Sequence, residues 1–159
     1  MQGYRIGQKV SEKLTPIIVN EYGDEIYIDI NDTTFVDKVI NLFQWFEEKN
    51  REIGELINKK KDEFDNIDVT DKDKINSYKT YISIFNEMYK EICEQFDKVF
   101  GEGTIRKYFR KLYEVYGDDF VPDDECITDF IEEIMPVLDQ LFAMRKEKNK
   151  KRHSKKKKV

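Results

Sequence analysis

The most regular stretch of the chain runs from Ile75 to Thr104 and reads INSYKTYISIFNEMYKEICEQFDKVFGEGT. Its apolar and aromatic residues recur at alternating steps of three and four, the spacing that places side chains on one face of an α-helix. The members of this heptad seam are Ile75, Tyr78, Ile82, Phe85, Tyr89, Ile92, Phe96 and Val99. Gly101 follows as a C-cap, because glycine adopts the positive φ that ends many helices. The stretch predicts a helix over 71–100 that ends in a sharp corner at Gly101–Thr104.

Other segments with helical spacing lie on both sides of the seam helix. They predict helices over 33–62, 104–116 and 124–147. Pro136 lies inside the last of these, but the apolar spacing continues past it, so we expect a kink rather than an end. Thr34 and Thr70 each stand three residues before an aspartate, which fits a capping box at the start of the first two long helices.

Before the first long helix, the apolar period changes from helical to two. Apolar residues alternate on both sides of a turn that contains Gly23: Ile17 and Val19 before it, and Ile26, Ile28 and Ile30 after it. This pattern predicts a β-hairpin. Because two strands alone are marginally stable in water, the isoleucine face must pack on the helices. The predicted fold is therefore mainly α, a small bundle of about four helices with an N-terminal β-hairpin.

Charge divides the chain into an acidic body and a basic arm. The basic arm, Arg145–Val159, holds ten Lys/Arg and one acidic residue, whereas residues 1–144 hold 18 basic and 32 acidic residues. Like charges repel one another and bury no surface, so we expect a disordered basic tail over 148–159. Residues 1–15 show no clear period and form a leader. One helical domain with an N-terminal hairpin remains, over 16–147.

The densest positive charge of the basic arm comes from Lys150, Lys151, Arg152, Lys155, Lys156, Lys157 and Lys158. Clustered cations bind phosphates by releasing counterions. However, the arm has no aromatic residue for stacking on bases, and no basic folded face accompanies it. The sequence therefore favours a solubilising or partner-docking arm over nucleic-acid binding.

No group of residues has the spacing of a catalytic, cofactor or metal site. His153, the one histidine, lies in the basic arm. Cys93 and Cys126 each lie among apolar helical neighbours, which is typical of reduced, buried thiols. The acidic stretches 65–73 and 118–125 lack the spacing of a calcium loop, and the corner glycines lack the lysine of a phosphate loop. We therefore expect no enzyme, no cofactor and no metal.

The sequence favours a protein of the cytoplasm that binds other proteins. No apolar run approaches the roughly 20 residues of a membrane span, and the first residues lack the apolar stretch of a signal peptide. Aromatic residues are common anchors of protein interfaces. Tyr81, Phe85 and Met88 are the predicted partner-binding residues, with self-association through the same patch when the partner is absent. Trp45, Tyr81, Tyr108 and Tyr113 lie off or beside the main stripes and either complete the core or anchor a partner.

Three segments carry a resemblance to a known family. The most specific is Phe100-Gly101-Glu102-Gly103-Thr104 followed by Arg106, Lys107 and Phe109, and the others are the strand-to-helix segment 23–38 and Phe130 with Pro136 before a basic tail. Together they resemble the small tail assembly chaperones of long-tailed phages and prophages of Gram-positive bacteria. The first segment is similar to the family stretch F-G-E-G-T-x-x-K-x-F, with Phe100, Gly101, Gly103 and Thr104 as the structural motif.

The resemblance implies a non-enzymatic factor of the host bacterial cytoplasm. Such a factor coats the tape-measure protein while tail-tube subunits polymerise around it, and the tail-tube protein is a possible second partner. Two alternatives remain open: a structural or adaptor protein of a phage particle, and a nucleic-acid-associated protein that uses the basic arm.

Overall fold

The computed structural model describes residues 3–60 and 70–157. Within them the chain is mostly helical, with one two-stranded antiparallel sheet near the N-terminus, which confirms the predicted class and the hairpin. The helices are α1 (Gln8–Ser11), α2 (Thr33–Lys59), α3 (Lys72–Phe100), α4 (Thr104–Tyr108), α5 (Arg110–Tyr116) and α6 (Asp124–Lys157). The strands are β1 (Thr15–Ile18) and β2 (Glu25–Ile28).

The hairpin presents one buried face and one exposed face. Its buried residues are Ile17, Val19, Ile26 and Ile28. The amide of Val19 donates to the carbonyl of Asp24 at 2.9 Å, and Ile17 pairs with Ile26. Because ladder hydrogen bonds in an antiparallel pair involve every second residue of each strand, the backbone nitrogen of Pro16 points away from β2. Proline has no amide hydrogen, so it suits this outer edge.

Aspartates, not threonines, cap the first two long helices. The Asp32 carboxylate accepts from the backbone amide of Thr34 at 2.9 Å, and Asp71 accepts from that of Asp73 at 3.0 Å. The predicted capping boxes at Thr34 and Thr70 are therefore wrong. In each case the aspartate lies two residues before the amide that it caps, which is the usual reach of an N-cap side chain.

Aromatic side chains join α2, α3 and α6 into one core. The rings of Phe100 and Phe130 lie 5.3 Å apart edge to face, and those of Phe96 and Phe130 lie 6.0 Å apart. Phe35 of α2 contacts Phe100 at 6.0 Å and Phe142 at 6.3 Å. Such edge-to-face pairs stabilise a core beyond the area that they bury. The same core contains the four buried residues of the hairpin.

Two predicted segments differ from the structure, and one predicted boundary has no described counterpart. The predicted helix over 104–116 is two helices, because the chain leaves helical geometry at Phe109, whose side chain is buried in the core. The leader contains the single turn α1, which has no buried residue. The predicted end of α2 at residue 62 lies outside the described residues, and α2 as described ends at Lys59.

The last helix is longer than the sequence suggested. It continues through Pro136 to Lys157, ten residues beyond the predicted end. The predicted disorder of the basic arm is therefore not confirmed. Lysine and arginine are good helix formers, and a packed helix before them supplies the costly nucleus. Positive charge at the C-terminal end of a helix also interacts favourably with its dipole.

Candidate partner-binding surfaces

The corner between α3 and α4 is built by the motif residues themselves. Gly101 has a φ of +118° and Gly103 a φ of +80°. The hydroxyl of Thr104, fully buried, donates to the carbonyl of Gly101 at 2.7 Å. Oδ1 of Asp97 accepts from the backbone amide of Ile105 at 2.9 Å. An amide at the start of α4, which could otherwise bind an anion, is therefore bonded to a carboxylate of the chain.

Asp97 is a carboxylate held inside this corner. Burial raises its pKa above the ordinary value, although hydrogen bonds from the amides of Ile105 and Gly103 act in the opposite direction. The charged form therefore loses more from desolvation than it gains from the two amides. Asp97 supplies the corner with an acceptor oxygen for a backbone amide.

The turn of the hairpin docks on α4. Nδ2 of Asn20 donates to the carbonyl of Lys107 at 2.8 Å, and Nζ of Lys107 donates to the carbonyl of Glu25 at 3.0 Å. Oδ1 of Asn20 accepts from the turn amides of Tyr22 and Asp24 at 2.9 and 3.1 Å. Lys107, a residue of the motif stretch, is thereby committed to holding the hairpin.

Charged and aromatic groups extend this junction onto α5. Nη1 of Arg110 lies 3.1 Å from Oδ2 of Asp24, and its guanidinium lies 4.2 Å from the centre of the Tyr22 ring. The hydroxyl of Tyr22 donates to Glu114 at 2.9 Å. Hydrogen bonds from Asn20 and then Arg110 lower the pKa of Asp24. The junction thus pairs the polar groups of the hairpin turn with α4 and α5.

The three predicted partner-binding residues do not form an exposed patch. Phe85 is only 8% exposed and belongs to the core. Tyr81 and Met88 are partly buried against the core, and Nζ of Lys60 lies 5.1 Å from the centre of the Tyr81 ring. Phe85 lies inward because α3 turns this part of its seam toward the core. Partner binding by Tyr81, Phe85 and Met88 stays a prediction.

The aromatic residues that lie beside the main stripes complete the core. Trp45, Tyr108 and Tyr113 are partly buried against it. The ring of Tyr108 lies 5.0 Å from that of Phe130, and Tyr113 lies 5.2 Å from Phe120. Of the two interpretations of these residues, the structure favours packing over partner binding.

Exposed apolar side chains are concentrated instead near the N-terminus. Half of the fourteen large exposed apolar residues in the described part of the chain lie between residues 4 and 27. We call six of them the N-terminal surface: Tyr4, Ile6, Val10, Leu14, Ile18 and Tyr27. Ile18 and Tyr27 lie on the outer face of the hairpin, Pro16 being the cross-strand partner of Tyr27. This surface was not predicted from the sequence, although apolar residues on both faces of a two-stranded hairpin indicate that one apolar face remains exposed.

A groove of about 310 Å³ runs between β1 and α6. Consecutive residues from Ile17 to Glu21 line one side of it, and Phe130, Ile134 and Val137 line the other. Because neighbouring residues of both faces of β1 take part, this side of the groove is the strand edge. Across the groove, apolar side chains of α6 lie beside this edge of β1.

The basic arm presents exposed cations on a helix. Lys150, Lys151 and Arg152 are exposed. Lys158, and the side chains of Lys155, Lys156 and Lys157, lie outside the described part. Arg145 is half-buried. Hydrogen bonds from Thr34 lower the pKa of Asp32 and the charge of Arg145 adds to this effect, so the arm leaves the body beside the N-terminus of α2.

The two thiols are poor nucleophiles. Burial raises the pKa of Cys93 to about 12 and that of Cys126 to about 11, so both remain protonated at neutral pH. His153 is exposed on the arm. Residues 3–60 and 70–157 contain no group of three or more His, Cys, Asp or Glu side chains able to hold a metal. Nor does any helix in those ranges combine the length and apolar character that crossing a bilayer requires.

Comparison with known proteins adds no relative. No family model, no curated protein and no solved structure matches this chain.

Proposed function

We propose that this chain is a non-enzymatic tail assembly chaperone of a long-tailed phage or prophage, which binds the tape-measure protein during tail morphogenesis. The observation that carries the proposal is the stretch Phe100–Phe109, similar in residue order to the family stretch F-G-E-G-T-x-x-K-x-F. Gly101, Gly103 and Thr104 build the α3–α4 corner, and Lys107 holds the hairpin turn. These contacts support a structural role for the stretch, because its residues fix the geometry of the α3–α4 corner. Proteins that share a fold would be expected to share residues with such a role.

The N-terminal surface is the site at which we place the partner. A tape-measure protein is a long helical chain whose apolar stripe aggregates when it is uncovered. Ile18 and Tyr27 offer apolar contacts on the outer face of the hairpin, and the leader adds Ile6 and Val10. An apolar helix face packs against such a surface by the same burial that drives helix-in-groove recognition. The acidic body would keep the complex soluble at high copy number.

Co-expression tests the proposal. The chain is produced with the tape-measure protein encoded beside it, and the soluble fraction of that protein is measured with and without this chain. We expect a clear rise in soluble tape-measure protein and co-purification of the two chains. No rise and no co-purification would remove the chaperone function in favour of a structural or adaptor protein, which should then be found in purified particles.

A matched pair of variants locates the surface. Ile18 and Val115 are both 67% exposed, one on the hairpin and the other on α5. We expect Ile18→Asp to abolish co-purification, because it places a charge in the apolar contact, and Val115→Asp to leave it unchanged. Tyr81→Ala tests the residues predicted from the sequence. Loss of binding with Tyr81→Ala and not with Ile18→Asp would move the site to α3.

A further inference from the structure

Helix α6 carries opposite charges on its two halves. From Asp124 to Met144 it holds six acidic and no basic side chains, and from Arg145 to Lys157 it holds nine basic and one acidic. This order agrees with the helix dipole, which favours anions near the N-terminus and cations near the C-terminus. The single helix therefore has an acidic half followed by a shorter basic half.

The acidic half carries an exposed stripe of carboxylates. Glu125, Asp129, Glu132 and Asp139 are all exposed and fall within about 80° of one another on a helix of 3.6 residues per turn. The opposite side of this half, with Phe130 among its buried residues, packs into the core. Within the described residues, none of these four carboxylates lies within 4.0 Å of a basic side chain. We call them the acidic stripe.

The basic half extends past the body, and beyond Arg145, which lies near Asp32, its described side chains form no ion pair with their own chain. The last core contacts of α6 come from Leu141 and from Phe142, whose ring lies 6.3 Å from Phe35. Lys150 and Lys151 are exposed, and in the part of the chain that is described neither forms an ion pair. The basic half cannot fold back onto the acidic stripe, because both belong to one continuous helix. Their complementary charges can meet only between two copies.

We propose that two copies of this chain pair through α6 in antiparallel orientation, with the basic half of each copy along the acidic stripe of the other. At 1.5 Å per residue, the stripe from Glu125 to Asp139 spans about 21 Å and the segment from Arg145 to Lys157 about 18 Å. A two-fold axis near residues 141–142 places Glu132 opposite Lys151. The contact is isologous, so each acidic–basic pairing occurs twice.

The surface near the proposed axis allows the two helices to approach closely. Ala143 is exposed and lies on the same side of α6 as the acidic stripe. A small side chain at a crossing point lets two helix backbones come near each other, whereas a long one would hold them apart. Met144, also exposed, adds an apolar contact beside the axis. The pairing is held mainly by charge and is therefore sensitive to salt.

Sedimentation equilibrium of the full chain tests the pairing at about 0.1 M and about 1 M salt, where charges are screened beyond about 10 Å and about 3 Å respectively. We expect twice the 19.1 kDa mass of one chain at low salt and the single mass at high salt. A single mass at both salts would overturn the proposal. So would a double mass that disappears after nuclease treatment, because nucleic acid would then bridge the arms.

Charge-reversed variants test whether the acidic stripe pairs with the basic half of the other copy. One variant carries Asp129→Lys and Glu132→Lys, and the other carries Lys150→Glu and Lys151→Glu. We expect each variant alone to be monomeric at low salt. An equal mixture should give the double mass, because the reversed stripe of one then faces the reversed arm of the other. A mixture that stays monomeric, or a single variant that stays dimeric, would contradict the proposed pairing.

A matched control separates local pairing from net charge. Lys72 and Lys79 are both exposed on α3. Lys72→Glu with Lys79→Glu changes the net charge by the same amount as the arm variant. We expect this control to stay dimeric at low salt, and its dissociation would mean that total charge, not the α6 pairing, governs assembly. Unchanged far-ultraviolet circular dichroism confirms that each variant is folded.

Discussion

The α3–α4 corner and the N-terminal surface are built in opposite ways. At the corner, Thr104 is fully buried and Asp97 and Asn20 each hold backbone groups of another element. At the N-terminal surface, Tyr4 and Ile6 are almost completely exposed, and α1 buries no residue. The most recognisable sequence motif therefore forms a packed corner, whereas the least regular segment exposes the apolar area at which we propose that a partner binds.

The glycine of the corner should give the largest effect on stability. At a φ of +118° and ψ of 145°, Gly101 occupies a backbone region that essentially only glycine adopts. A Cβ there would lie 3.6 Å from Oγ1 of Thr104, so the cost of Gly101→Val comes from the backbone rather than from a clash. We expect a loss of about 1–3 kcal/mol in the free energy of unfolding, measured by urea denaturation.

Gly54 provides a control of opposite sign. It lies inside α2 without a positive φ, and an added Cβ would meet no atom within 4 Å. Gly54→Ala should therefore raise the free energy of unfolding by about 0.5–1 kcal/mol, because alanine loses less backbone entropy in a helix. Full stability of Gly101→Val together with loss of partner binding would make the corner a contact surface instead of a structural element.

The buried carboxylate should give the next effect. Asp97→Ala removes the acceptor for the amide of Ile105, and we expect a loss of about 1–2 kcal/mol in unfolding free energy. Asp97→Asn keeps an acceptor oxygen at the same position and removes the charge that burial disfavours. We therefore expect the asparagine variant to match or exceed the parent at neutral pH. Equal losses in both variants would mean that the charge itself is required.

Asn20 should contribute a smaller amount at the edge of the corner. Its amide bonds the carbonyl of Lys107 at 2.8 Å and the turn amides of Tyr22 and Asp24. Asn20→Ala should cost about 1 kcal/mol, because the partly buried carbonyl loses its donor. Thermal denaturation measures the change, and Asn31→Ala in an exposed turn is the control. A similar small effect at both positions would mean that the hairpin turn is held by other contacts.

The contributions of Asp97 and Asp24 to the free energy of unfolding should change with pH in opposite directions. Because the folded pKa of Asp97 is raised, its contribution to stability is present below the ordinary value of 3.8 and is lost as the pH rises through the folded pKa. Because the folded pKa of Asp24 is lowered, its contribution is present above 3.8 and is lost as the pH falls through the folded pKa. The free energy of unfolding of Asp97→Asn and of Asp24→Asn is measured from acid to neutral pH. Relative to the parent, its slope against pH should change in opposite directions in the two variants. Parallel changes would contradict the assigned causes.

Deletion of 148–159 should have the smallest effect. Those residues that are described beyond Arg145 bury almost nothing, so the core loses no contact. At about 1 M salt, which suppresses the proposed pairing, we expect the melting temperature of the truncated chain to equal that of the full chain. A large drop at high salt would show that the arm packs on its own body.

An element could be predicted from the sequence where its residue pattern is compatible with only one local structure. The alternation around Gly23 gave the correct hairpin, and Gly101 is the C-cap of α3 as its position after the seam predicted. The caps at Asp32 and Asp71 were assigned to neighbouring threonines, because several hydroxyl and carboxylate side chains next to one another satisfy the same capping rule.

The proposed partner surface was harder to predict, because sequence periodicity identifies an apolar face but not whether the core covers that face. The seam placed Phe85 on the apolar side of α3, but only the structure shows that the core covers it. Ile18 and Tyr27 had no such pattern, because both faces of the hairpin are apolar. The helical arm was not predicted for a related reason. A helix that packs on nothing needs no periodic apolar residues, and the many positive charges of the arm suggested that repulsion would keep it disordered.

The packing of the hairpin has a consequence for synthesis on the ribosome. The core that covers Ile17 and Ile26 also contains Phe130 and Leu138 of α6, which are made more than one hundred residues later. At roughly 5–20 residues per second, the hairpin waits on the order of 5–20 s before that helix emerges. During this interval the part of the hairpin that α6 covers stays open to water. Apolar residues of the N-terminal segment are therefore available for contact with other chains before the core is complete.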